Sequence, residues 1–89
     1  MKATILYHPE SESARPTEEY QRDFQRHHGQ DIELLSLDTR EGAELAALFG
    51  VVRYPALLVR KDNGDYVKHW EGEHLPLMDE VAGYLSQQQ

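Results

Sequence analysis

Residues 50–58 read Gly-Val-Val-Arg-Tyr-Pro-Ala-Leu-Leu, an apolar run that begins directly after a Tyr-Pro bond. Proline has no N–H and fixes φ, so in a sheet it is confined to an edge, a bulge or the first residue of a strand. Pro55 therefore marks the opening of a strand over Ala56–Arg60, and Gly50 the left-handed stop of a preceding helix.

Upstream, Asp38 with Glu41 three positions later has the spacing of a capping box, which predicts a helix with Leu45, Leu48 and Phe49 facing inward. Ile32–Leu37 and Lys2–Tyr7 are apolar and β-branched runs, read as strands, the first one central in the sheet. His8–Arg15 is polar and contains Pro9, hence a loop, with Pro16 in the first turn of a helix. That helix carries Tyr20, Phe24 and His27 or His28 on one face and ends at Gly29.

Downstream, Asp62-Asn63-Gly64-Asp65 is a hairpin turn, and Tyr66–Trp70 the fourth strand. Pro76 opens a last helix with Leu77, Val81, Tyr84 and Leu85 as its buried stripe, and Gln87–Gln89 should fray. The order is β-α-β-α-β-β-α. A strand-helix-strand crossover makes the first two strands parallel, and the hairpin adds antiparallel neighbours.

The 89 residues are read as a single domain, 1–89, with an ordered core over about 2–86. Without a stretch of about 20 apolar residues or a signal-like start, the expected location is cytoplasmic, with no membrane contact. Sixteen acids against nine Lys plus Arg give a net charge of −7, which repels nucleic acid and anionic lipid and favours basic protein surfaces. There is no cysteine, which excludes disulfides and thiolate metal sites.

Ala46-Ala47-Leu48-Phe49-Gly50-Val51-Val52-Arg53-Tyr54-Pro55, then an apolar strand, the hairpin at Lys61-Asp62-Asn63-Gly64 and the run Trp70-Glu71-Gly72 together resemble the thioredoxin-like superfamily. The resemblance spans nearly the whole chain and is closest to the minimal core used by glutaredoxins. It implies an α/β fold with a four-stranded mixed sheet flanked by helices. It also implies a cis Tyr54-Pro55 bond that turns the backbone of Tyr54 outward, where its N–H and C=O can pair with an extended ligand.

The N-terminal half departs from that pattern. The dithiol motif falls near Glu12-Ser13-Ala14-Arg15 counted from the first strand, or on His8-Pro9-Glu10-Ser11 counted back from Pro16, and neither window holds a thiol. The acid that some thioredoxins carry in the first strand is replaced by aliphatic Ile5 and Leu6. Thiol-disulfide exchange needs a thiolate, so these residues cannot carry it out, and no catalytic residue is assigned.

Ser11 and Ser13 occupy the region of the lost cysteines. Helix capping is one role for them. The other follows from glutathione transferases, which share this half-fold and use a Ser or Tyr to hold a glutathione thiolate, a part open here to Tyr7, Ser11 or Ser13. The acid-Ser pair for the γ-glutamyl group is absent, since the corresponding run is Glu71-Gly72-Glu73-His74.

No metal or cofactor is expected. His27 and His28 are adjacent on a helix and do not face one site, and His8, His69 and His74 with Glu71 and Glu73 have no recognised ligand spacing. Glu10, Glu12, Glu71 and Glu73 are expected to rim the same end of the sheet as Tyr54-Pro55, around a groove lined by Tyr7, His8, Tyr54 and Trp70. Arg53 either binds a ligand carboxylate or pairs with Glu10 or Glu71. Three functions follow: a redox-inactive module binding a protein or extended basic peptide, a glutathione or small-thiol carrier or enzyme, and a structural domain using the edge strand Tyr66–Trp70.

Overall fold

A computed structural model describes residues 1–72 and 74–86. The elements run β1 (Lys2–Tyr7), α1 (Ala14–His28), β2 (Ile32–Ser36), α2 (Arg40–Leu48), β3 (Ala56–Arg60), β4 (Tyr66–Glu71) and α3 (Met78–Leu85). The sheet order is β2-β1-β3-β4. β1 and β2 are parallel, and β3 runs antiparallel to both β1 and β4. This is the β-α-β-α-β-β-α mixed sheet that the sequence implies.

Alternation along the central strands sorts side chains onto two faces. Ala3, Ile5 and Tyr7 of β1 join Ile32, Leu57 and Val59 beneath α1 and α3, which contribute Phe24 and Val81. Phe24 is wholly buried, and replacing it with Ala would cost about 3–5 kcal/mol. On the opposite face Leu6 and Ala56 meet Ala46 of α2 and Val51 of the following loop. The core thus runs up to Val51, which holds the loop before Pro55 against the sheet.

Three helix details differ from the sequence expectation. The N-cap of α2 is Thr39, one residue after Asp38: its Oγ1 accepts the Gly42 N–H at 3.1 Å and donates to the Ser36 carbonyl at 2.7 Å. Thr39 has the extended backbone a cap requires, and its hydroxyl serves helix start and strand end together. Leu48 is 73% exposed, because the inward face of α2 is set by Ala46, and Leu77 is 78% exposed as the N-cap of a helix that starts at Met78. Pro76 precedes that helix, and its carbonyl accepts a 2.7 Å hydrogen bond from the Tyr20 hydroxyl, tying α3 to α1. Burial and the nearby Glu80 carboxylate push the Tyr20 phenol up to about 12.

Candidate functional site at the Tyr54–Pro55 loop

The loop from Gly50 to Pro55 joins α2 to β3, and its Tyr54–Pro55 peptide bond is cis. Val51 anchors one end, its side chain in the core and its N–H donating to the Ala46 carbonyl at 2.9 Å. The Tyr54 hydroxyl donates back to the Val51 carbonyl at 3.0 Å, so this side chain folds onto its own loop. The Pro55 carbonyl accepts the Gly72 N–H at 3.1 Å, which carries the sheet one step past β4. Among the described residues, neither the N–H nor the C=O of Tyr54 has a hydrogen-bond partner.

Glu71, the last residue of β4, holds the middle of the loop. Its Oε1 accepts the N–H groups of Val52 at 2.7 Å and Arg53 at 3.0 Å. Its Oε2 lies 3.0 Å from His69 Nε2, and His69 Nδ1 lies 2.8 Å from the Tyr66 hydroxyl. The Val52 and Arg53 amides, followed by the His69 hydrogen bond, draw the Glu71 carboxyl down from 4.5 to about 2. Glu71 is therefore committed to the loop, and Arg53 meets it through backbone N–H while its side chain stays exposed.

Across the loop, the segment between β1 and α1 is a tight turn. Ser11 N–H and hydroxyl both donate to the His8 carbonyl, at 3.1 and 2.7 Å. The Ser11 and Ser13 hydroxyls lie 2.9 Å apart. Ser13 stands at the N-cap of α1 yet makes no side-chain cap bond. Two physical reasons account for that: its backbone is helical (φ −83°, ψ −3°), not extended, and Pro16, third in the helix, has no N–H to cap. The window Glu12–Arg15 spans the helix start, and His8–Ser11 lies in the turn.

Two open clefts flank the Tyr54–Pro55 bond. One, about 310 Å³, is lined by Glu12, Ser13, Pro16, Thr17, Pro55, His74 and Leu75. Thr17 was not anticipated from the sequence; it is fully buried, and its Oγ1 has no hydrogen-bond partner. The other, about 280 Å³, is lined by His8, Leu37, Ala43, Ala46, Ala47, Val51 and Tyr54. His8 packs edge-on against the Tyr54 ring at 5.4 Å, with its Nδ1 3.6 Å from Asp38.

The site thus gathers His8, Ser11, Ser13, Arg53, Tyr54, Pro55 and Glu71 around one loop. Tyr7 and Trp70 lie elsewhere. Tyr7 belongs to the core under α1, and burial, with the Glu18 carboxylate, raises its phenol pKa. Trp70 packs against the same core, edge-on to Tyr84 at 5.6 Å, with the Lys68 ammonium 5.8 Å from its ring centre. Strand alternation explains this: Trp70 and Glu71 are consecutive and must face opposite ways. Glu73 lies outside the described residues. Among the described residues no group of three or more His, Asp or Glu side chains is gathered as metal ligands, and no helix is long and apolar enough to cross a membrane.

Neither a protein-family model nor a curated protein matches the chain. Among solved structures, thioredoxin 1 from the thermophilic eubacterium Thermosipho africanus TCF52B is similar, with 14% sequence identity, a TM-score of 0.66, and coverage of 96% of this chain and 90% of that one. The chain therefore has a thioredoxin-like fold, built here without a single cysteine.

Proposed function

We propose that this domain is a redox-inactive, thioredoxin-like binding module that takes an extended basic segment of a partner protein along the Tyr54–Pro55 loop. The observation that carries this reading is the open backbone of Tyr54 between two clefts, on a loop pinned at Val51 and Glu71. A ligand strand pairing with that edge meets groups already in place, which lowers the ordering cost of binding. The net charge of −7, with exposed Glu12 lining the cleft beside Pro55 and exposed Glu10 in the same turn, favours a Lys- or Arg-bearing segment. Without a thiol, recognition is non-covalent.

The glutathione reading has less behind it. Tyr7 is buried with a raised pKa, and the Ser11 and Ser13 hydroxyls are engaged with each other, so none is poised to hold a thiolate.

Binding of a cysteine-free, lysine-containing peptide, measured at several salt concentrations, tests the proposal. The affinity of the native protein should fall as salt rises, and Glu10→Lys with Glu12→Lys should weaken it by about tenfold at low salt. A peptide affinity indifferent to both would refute it.

A further inference from the structure

The five tyrosines differ in what their hydroxyls meet. Tyr20 donates to the Pro76 carbonyl and Tyr54 to the Val51 carbonyl, oxygens too weakly basic to take the proton. Tyr7 is buried in the core, and Tyr84 packs against Trp70. Tyr66 is 44% exposed, and among the described residues its hydroxyl alone rests on a base, His69 Nδ1 at 2.8 Å.

The state of that nitrogen follows from the carboxylate on the other side of the ring. Glu71, drawn down to about 2, is ionised at neutral pH, so its Oε2, 3.0 Å from His69 Nε2, can only accept. Neutral His69 must therefore carry its proton on Nε2, which leaves the Nδ1 lone pair aimed at the Tyr66 hydroxyl. Phenol, imidazole and carboxylate stand in the order of nucleophile, general base and orienting group.

An irregularity in β4 assembles this row. Ordinary alternation would turn Tyr66 and His69 to opposite faces of the sheet. The register slips between Val59 and Arg60: Val59 is opposite Lys68 and Arg60 is opposite Tyr66, which leaves Val67 without a facing residue on β3. A bulge of this kind re-aims the residue before it, and Tyr66 joins His69 and Glu71 on one face. The neighbouring elements bring the half-buried Phe49 ring, 5.8 Å from that of Tyr66, and Arg60, opposite it in the register. Arg60 and Glu71 keep their charges through the neutral range, so His69 and Tyr66 are the groups that titrate there.

We infer that Tyr66 is an acyl-acceptor site, with His69 as its general base and Glu71 as the positioning residue that fixes the His69 tautomer. The phenol oxygen attacks the carbonyl carbon of an activated aryl ester and its proton passes to His69 Nδ1. The bond to the leaving aryloxide then breaks, and the aryloxide takes the proton from the imidazolium. The products are an ester on Tyr66 and a free phenol. Phe49 offers the aryl group an apolar flank.

Treatment of the full chain with p-nitrophenyl acetate, with the acetylated tyrosines located and timed by peptide mass spectrometry, tests this. In the native protein Tyr66 should react at least about tenfold faster than Tyr54, and its rate should level off through the neutral range once His69 is unprotonated. His69→Gln, which keeps hydrogen-bonding groups but no base, should slow Tyr66 by about a hundredfold, and the residual rate should rise with pH throughout that range. Glu71→Gln should also slow it: with its amide oxygen on the Val52 and Arg53 N–H groups, its NH2 faces His69 Nε2 and moves the ring proton to Nδ1. Nitrogen spectra of the labelled His69 ring read that change of tautomer directly. Acetylation without preference for Tyr66 in the native protein, or a Tyr66 rate and pH profile unchanged in His69→Gln, would overturn the inference. A native His69 ring protonated on Nδ1 would overturn it as well.

Discussion

Glu71 Oε1 sits 2.7 Å from the Val52 amide nitrogen and thereby fixes a loop 19 residues earlier in the chain. A single carboxylate oxygen takes two consecutive backbone N–H groups, and the other oxygen meets His69. Charge-assisted hydrogen bonds of this kind are about twice as strong as neutral ones. The residue that faces the Tyr54–Pro55 loop from β4 thus acts as its internal clamp.

Removing that clamp should be measurable in stability and in pH dependence. Glu71→Ala should cost about 1.5–3 kcal/mol in denaturant unfolding at pH 7, and Glu71→Gln less, since an amide oxygen still accepts both N–H groups. The Glu71 pKa is lowered from 4.5 to about 2 on folding, so its contribution is fully present above pH 4.5 and is lost as pH falls from 4.5 towards 2. The stability difference between the native protein and Glu71→Gln should therefore shrink across that window, checked by unfolding curves at pH 2.5, 4 and 7.

Thr17→Val offers a contrasting case. Replacing an unpartnered, fully buried hydroxyl with a methyl removes a desolvation cost and keeps the volume. We expect the free protein to gain about 1 kcal/mol, a rise in Tm of about 4–8 °C for a domain of this size. Differential scanning calorimetry reads this directly. A loss of stability would mean that the hydroxyl has a partner in solution.

Gly42 sits in the first turn of α2, against the end of β2. A Cβ at that position would overlap the Ser36 carbonyl oxygen, a backbone atom held in place by the Thr39 hydroxyl. Gly to Ala in a helix ordinarily stabilises by up to about 1 kcal/mol. Here Gly42→Ala should destabilise by about 1–3 kcal/mol through overpacking, measured by urea unfolding, and a stabilised variant would show that α2 can shift off β2.

Much of this architecture is legible in the residues alone. Gly50 to Pro55 announces a helix stop, a loop and a strand start, and all four strands and three helices stand within a few residues of where patterning places them. What escapes is whatever depends on distance in sequence. Leu48 and Leu77 have helical spacing, yet which way a short helix faces is decided by the sheet it lands on, and both end up in solvent. Trp70 and Glu71 are neighbours with opposite fates because the pleat assigns one to the core and one to the loop, and only the register Leu57 to Trp70 and Ala56 to Glu71 fixes which. Asp38 and Thr39 both have capping chemistry, and the choice between them rests on one residue's backbone angles. Thr17 reads as an ordinary helix residue until its burial beside Pro55 is seen.

In the proposed binding mode, the backbone edge at Tyr54 receives an extended basic ligand without thiol chemistry. Backbone amide spectra of the labelled protein, recorded during separate titrations with a cysteine-free lysine-containing peptide and with reduced glutathione, test it most directly. Saturable shifts are expected at Val52–Tyr54 and His8–Ser13 with the peptide, and none of comparable size with glutathione. Saturable shifts there with glutathione alone, or peptide shifts confined to the β4 edge at Tyr66–Glu71, would contradict it.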